Sequence, residues 1–282
     1  QDRGLIRYLM RHRHTTPFEM VEFKFHCKMP IFVARQWVRH RTANINEYSL
    51  RYSEARDEFY FPDPDHIEFQ STLNKQGRLG EVGEDLKKKV QAYFKEISDR
   101  SFEIYCELNE AGVARELARA ILPVNLYTEW YWKNDLHNLL HFIGLRSDGH
   151  AQYEIRVFSD AMATYVKQVA PFAWEAYQDY VVKGMRFSKI EQSILERKLP
   201  ERVLNDIQED ISYQLTASLH ANKPREDKDL FPLYNQQGGT DSIEDFNLKW
   251  SSGEIEVGNV RELREFRLKI EPHQLKEYEA LT

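Results

Sequence analysis

Arg35, Arg39, His40, Arg41 and Arg51 fall within one short window whose only acidic residue is Glu47. Folding alone does not require so many cations together. Guanidinium forks pair with phosphate or carboxylate in two-pronged geometry, so the window reads as a site for an anionic ligand. Asn46, Glu47 and Ser49 add the directional donors and acceptors that tell a nucleotide from bare phosphate, in a stretch where binding residues concentrate. The alternative is a solvated helix end, where exposed arginines are ordinary because the helix dipole favours them.

Three further groups could do chemistry. Arg11-His12-Arg13-His14-Thr15-Thr16-Pro17-Phe18-Glu19 is a second cationic cluster, either a helix end followed by a turn or part of a cofactor wall. Arg115 and Arg119 stand four apart on an otherwise apolar segment, suited to phosphate or to salt bridges with a neighbouring helix. His137, His141 and His150 raise a metal-dependent hydrolase, because histidines at i and i+4 can share a zinc ion. No HExxH accompanies them, and Arg146 lies between them, where its charge opposes a metal. The segment from Arg146 to Glu154 reads better as a helix-end motif whose arginine stabilises an anion. Cys27 and Cys106 read as packed thiols rather than nucleophiles. Neither G-x-G-x-x-G nor a P-loop is present, which removes both common phosphate cradles.

These residues need elements to hold them. Val21, Phe23, Phe25, Cys27 and Met29 alternate as in a strand with one buried face, and Pro30 closes it. The pattern predicts a helix over 31–41, with Arg39, His40 and Arg41 as its last turn, then a loop over 42–46. Residues 59–64 are extended and turn-rich, and 71–83 polar. Long helices are expected over 84–111, 113–121, 136–145, 151–168 and 172–182, with an aromatic strand over 126–132. Beyond Lys183 the helical signals at 190–199, 202–215 and 261–270 flank a polar, acidic stretch at 221–253.

Residues 201–282 carry 10 Lys+Arg against 17 Asp+Glu, while residues 1–200 carry 29 against 28. The first part is not basic enough to read as a nucleic-acid binder, and the acidic tail would repel one. No run approaches the roughly 18 apolar residues of a membrane helix. Two cysteines and no signal-peptide pattern lead us to expect a reducing cytoplasm, with neither membrane nor nucleic acid as partner. The first residue, Gln1, and the immediate helical segment imply that a leader or first strand is missing.

The chain resembles the flavin-dependent thymidylate synthases. Their signature is an Arg-His-Arg, seven further residues and a Ser, here Arg39-His40-Arg41 and Ser49, with Asn46-Glu47 and Arg51-Tyr52 in place. The stretches His14 to Glu19, Pro30 to Trp37, Ala114 to Arg119 with Leu122-Pro123, and Leu145-Arg146 with His150 to Glu154 match in the same order. The resemblance covers roughly residues 2 to 183. It implies an α+β fold, a mixed or antiparallel sheet flanked by long helices. A catalytic domain at 1–183 would precede a C-terminal extension at 184–282, with an insertion over 205–250. The family usually begins with a further segment carrying Ala-Arg-Val-Ser near the flavin, which is not present in this sequence.

The activity implied is reductive methylation of dUMP to dTMP, with 5,10-methylenetetrahydrofolate giving the carbon, FAD carrying the hydride and NADPH reducing the flavin. A homotetramer with shared active sites is implied too. Carried over by position, Gln36, Trp37, Val38, Arg39, Glu47, Tyr48, Ser49, Leu50 and Arg51 would meet dUMP, with Arg119 on its phosphate from another subunit. Arg146 would act on the uracil, favouring ionisation at N3. His14, Thr16, Glu19, Arg39, His40, Arg41, Asn46, Glu47, Asp135, His137, His141 and His150 would line the flavin site. No metal is expected. The rival from another class is a nucleotide- or RNA-binding module using the same arginines without redox chemistry.

Overall fold

The structure is a computed structural model and describes residues 2–72 and 77–192. The chain divides into two units, Gln1–Met185 and Arg186–Thr282. The site candidates all fall in the first. The expected helices over 202–215 and 261–270, most of that at 190–199, and the 205–250 insertion lie outside the described residues.

A three-stranded antiparallel sheet organises the first unit, with β1 (Glu22–Pro30) and β2 (Asn44–Glu47) on either side of β5 (Tyr127–Asp135). Along β5 the side chains of Thr128, Trp130, Trp132 and Asn134 are buried, and Glu129, Tyr131 and Lys133 are less so, the alternation that a one-faced sheet demands. On the buried face lie α3 (Ile31–Trp37), α6 (Leu136–Arg146) and α7 (Tyr153–Val169), with Trp37, Trp132, Phe142, Leu139 and Ile155 at the centre of the core. Trp37 is fully buried; its ring lies 4.9 Å from Phe142 and 5.2 Å from Trp132. Packing of this kind, roughly 1.5–3 kcal/mol per fully buried apolar side chain, fixes where α3 stops.

Helices α1 (Asp2–Arg11), α2 (Thr16–Glu19) and α8 (Pro171–Tyr177) complete the packing. Arg7 of α1 joins Glu175 of α8 at 2.7 Å. The long α4 (Glu84–Glu110) runs to the short α5 (Arg115–Ala118). A small antiparallel pair, β3 (Glu68–Gln70) and β4 (Arg78–Glu81), precedes it. The α+β architecture thus follows expectation.

Five local expectations are corrected. The helix over 31–41 ends at Trp37, so Arg39, His40 and Arg41 are not its last turn. Arg39 and His40 donate to the carbonyls three residues back, a tight turn in place of a further turn of α-helix. The loop over 42–46 contains β2, missed because all four of its residues are exposed and no alternation results. The polar 71–83 stretch contains β4, likewise exposed throughout. The helix over 113–121 is a single turn of α-helix followed by a 3₁₀ turn at Arg119–Ile121, and that over 172–182 gives way to a π turn at Gln178–Val182.

Candidate functional site

His40 and Arg146 meet where the turn after α3 faces the end of α6. The Arg146 Nε–H donates to His40 Nε2 at 3.0 Å. A ring nitrogen that accepts is unprotonated, so His40 is neutral with its proton on Nδ1. Burial pushes the His40 pKa down to about 4, and the charges of Arg146 and His141 push the same way. Burial also lowers the pKa of Arg146, but a guanidinium stays charged at any working pH. The His40 ring sits edge-on to Phe142, centroids 4.9 Å apart, and to His141 at 6.1 Å. Helix α6 therefore frames His40 with His141, Phe142 and Arg146.

Glu47 ends β2 opposite Trp130 of β5, and its Oε1 accepts the Thr128 hydroxyl at 2.7 Å. Beyond it, Ser49 Oγ accepts the Arg51 backbone N–H at 3.3 Å and the Tyr48 hydroxyl donates to the Glu54 carbonyl at 3.2 Å. Arg51 pairs with Glu116 and Arg115 with Glu54, each at 3.0 Å, tying this loop to α5. Both pairs are exposed and contribute about 0–1 kcal/mol each, so Arg51 can exchange Glu116 for a ligand anion at little cost. Leu50 is half-buried in the same loop.

The charge accounting separates two classes of arginine. Arg3, Arg7, Arg51, Arg56, Arg78, Arg100 and Arg115 each have a carboxylate partner, whereas Arg13, Arg35, Arg39, Arg41, Arg119, Arg146, Arg156 and Arg186 have none among the described residues. Gln36 Oε1 is buried with no partner, an acceptor waiting for a donor. Cations left without carboxylates, plus an orphaned amide acceptor, fit a ligand with phosphates and an N–H-bearing ring. A flavin nucleotide and a uridylate both meet that description.

The remaining flavin candidates gather less tightly. Helix α2, with Thr16 and Glu19, packs against α6, which carries His137 and His141. His14 stacks on Tyr8 at 5.9 Å, just after Arg13, whose φ of 58° turns the chain between α1 and α2. Asn46, Arg39, Arg41 and His141 are exposed, and His137 and Arg119 half-buried.

Other candidates are engaged elsewhere. Asp135 caps α6, accepting from the Asn138 backbone and its side-chain amide, both at 2.8 Å. The His150 ring is 82% exposed and bonds Asp148 at 2.9 Å. Trp37 is fully buried in the core, and its carbonyl is taken by the His40 N–H, while Val38 is exposed. Among the described residues no three His, Cys, Asp or Glu gather as metal ligands.

Sequence reasoning missed Thr128, whose place on the buried face of β5 is legible from the alternation, and Phe142, which the helical period of α6 turns inward. It also missed Asp148 and Tyr8, for which no sequence pattern gives a signal.

The chain matches the family model described as thymidylate synthase complementing protein over residues 1–172. It is 53% identical over 197 residues to the flavin-dependent thymidylate synthase of Ehrlichia ruminantium (strain Gardel), covering 70% of this chain and 66% of that protein. The flavin-dependent thymidylate synthase of Rickettsia prowazekii (strain Madrid E) is 49% identical over 220 residues, covering 73% of this chain and 75% of its own. Among solved structures, the UMP/dUMP methylase PolB from Streptomyces cacaoi, bound with 5-Br dUMP, superimposes with a TM-score of 0.59 at 35% identity. That match covers 63% of this chain and 79% of the other.

Proposed function

The chain belongs to the thymidylate synthase complementing protein family, and on that premise we propose that it methylates dUMP reductively to dTMP, with 5,10-methylenetetrahydrofolate as carbon donor and NADPH as reductant. FAD, when bound, supplies the hydride-carrying redox chemistry. The observation that carries the reading is Arg146, an arginine without a carboxylate partner, bonded to a histidine kept neutral; Arg39, Arg41 and Arg119 likewise have no carboxylate partner among the described residues.

Arg146 holds a fixed positive charge at the end of α6. Placed beside the uracil, it stabilises negative charge at N3 and so raises electron density at C5, the atom that gains the carbon; a charge already in position needs no reorganisation as the reaction proceeds. Glu47, braced by Thr128, together with Ser49 and Arg51 orients the nucleotide, and Gln36 Oε1 accepts from a ligand N–H. Arg119 takes the phosphate from another subunit. Arg39, Arg41 and Asn46 supply donors to the flavin, with His14, Thr16, Glu19, His137 and His141 along its wall.

A homotetramer in the cytoplasm completes the proposal. Tyr93, Ile97, Leu117, Ile121 and Val124 are exposed apolar residues on and after α4, surface that association would cover. No helix among the described residues is long and apolar enough to cross a membrane.

The test is to load the purified chain with FAD and supply dUMP, methylenetetrahydrofolate and NADPH. Formation of dTMP, lost when any one of them is withheld, is expected. A chain that takes up no flavin, or that binds RNA with steep salt dependence and makes no dTMP, overturns the reading.

A further inference from the structure

We infer that His40 is the positioning residue for Arg146: its Nε2 fixes the guanidinium plane and leaves Nη1 and Nη2 free to meet the uracil. The role rests on the thymidylate reading above.

Arg146 is the last residue of α6, so no following helical turn confines it. An arginine side chain is long and flexible, and an unrestrained one would sample many orientations. The hydrogen bond to His40 at 3.0 Å uses the Nε–H. Nη1 and Nη2 have no partner among the described residues, so the two-pronged end remains available for a planar acceptor.

His40 is itself anchored. Its backbone N–H donates to the Trp37 carbonyl at 2.9 Å, and Trp37 is locked in the core. Phe142 meets the imidazole ring from α6, edge-on. A chain of contacts thus runs from the rigid core through the turn to Nε2 and on to the guanidinium.

The bond requires a neutral imidazole, because a protonated Nε2 would turn an N–H toward another N–H. The surroundings enforce neutrality. The titratable groups facing His40 are Arg146 and His141, both on α6, with Arg39 and Arg41 flanking it in its own segment; no carboxylate faces it among the described residues. A carboxylate beside His40 would favour the imidazolium and break the bond.

The experiment combines a direct and a kinetic readout. In the unaltered chain, NMR of arginine Nε–H groups should show one resonance that vanishes in R146K and shifts in H40A. With rates normalised to bound flavin, H40A should lower kcat for dTMP formation about a hundredfold, the scale of loss when a reacting group is displaced by about 1 Å, with a smaller change in KM for dUMP. H40Q, whose amide oxygen can still accept, should recover most of that loss. In the R146A background, adding H40A should cost nothing more, because a residue acting through another contributes nothing once the other is gone. Additive losses, failure of Gln to rescue, or an unmoved resonance in an active chain would remove this role alone. An unaltered chain that makes no dTMP would remove the thymidylate reading, and the role with it.

Discussion

The Tyr60 hydroxyl donates to Glu154 Oε1 at 2.8 Å, and Arg78 closes on both oxygens of the same carboxylate at 2.7 and 2.8 Å. Glu154 is 5% exposed at the start of α7, Tyr60 lies in the extended segment before β3, and Arg78 opens β4. One buried carboxylate therefore ties three distant stretches of chain together beside a cavity of about 500 Å³ lined by Phe32, Phe94 and Pro123. Burial alone would raise the Glu154 pKa, but the bonds from Arg78 and Tyr60 outweigh it and hold the carboxyl below its ordinary range.

A depressed folded-state pKa stabilises the fold above the unfolded carboxyl pKa, about 4.3, and that contribution is lost as pH falls through the lower folded value. Glu154→Gln should therefore be less stable than the unaltered chain at pH 7, and the gap should close with acidification below about pH 4. Arg78→Ala should cost roughly 3 kcal/mol at pH 7, because it strands a buried charge. Urea midpoints at neutral and acid pH check both, and a gap that does not narrow in acid would discount the linkage.

Arg146→Ala should separate chemistry from cofactor binding. Removing a fixed charge from the reacting ring should lower kcat by about 10²–10³, while flavin uptake, spread over many residues, changes little. Visible absorbance and dTMP yield measured on one sample decide it. Parallel loss of both would take Arg146 out of the chemical step.

Thr128→Val keeps the shape of the buried side chain and deletes one hydroxyl. Glu47 then loses a bond of 2.7 Å, a charge-assisted contact of about 1.5 kcal/mol. The affinity for dUMP should fall about tenfold as Glu47 loses its bracing, and the unfolding midpoint should drop by a few degrees at most. Calorimetric titration with dUMP is the measurement, and unchanged affinity would detach Thr128 from the site.

Both cysteines should be dispensable. Burial pushes the Cys27 thiol up to about 12, and burial followed by Glu110, Asp57 and Glu54 raises Cys106. Neither is a thiolate at neutral pH. The double Cys→Ala variant should retain dTMP formation, and Cys27 should resist alkylation until the chain unfolds. A hundredfold loss of rate in the double variant would reinstate a nucleophilic cysteine.

The sequence disclosed elements wherever burial imposed a period. The alternation in β1 and β5 and the apolar stripes of α6 and α7 were legible because each has one face in the core. β2 and β4 were hidden because edge pairing with every side chain exposed leaves no pattern. The early end of α3 was hidden for another reason: helical propensity continues through Arg41, but the tertiary contacts of Trp37 and His40 override it. The site shows the same division. Arg39, His40, Arg41, Glu47 and Arg146 stand out by type and spacing. That His40 touches Arg146, and Thr128 touches Glu47, depends on how α6 and β5 pack, which no local pattern contains.

Trp37 tests how firmly the core holds that geometry. Its indole packs against Trp130, Trp132, Phe142 and Phe158, yet its buried Nε1 has no hydrogen-bond partner. Trp37→Ala removes the whole ring system and should cost about 3–5 kcal/mol. Trp37→Phe retains much of the apolar contact and deletes the unpartnered N–H, so its loss should be smaller, about 1–2 kcal/mol, because relief of the unsatisfied donor offsets part of the cavity. Thermal unfolding of the two variants gives the comparison, and equal losses would mean that the indole nitrogen contributes a bond. Because His40 hangs from the Trp37 carbonyl, Trp37→Phe should leave the arginine Nε–H resonance of Arg146 in place, whereas Trp37→Ala should broaden or shift it.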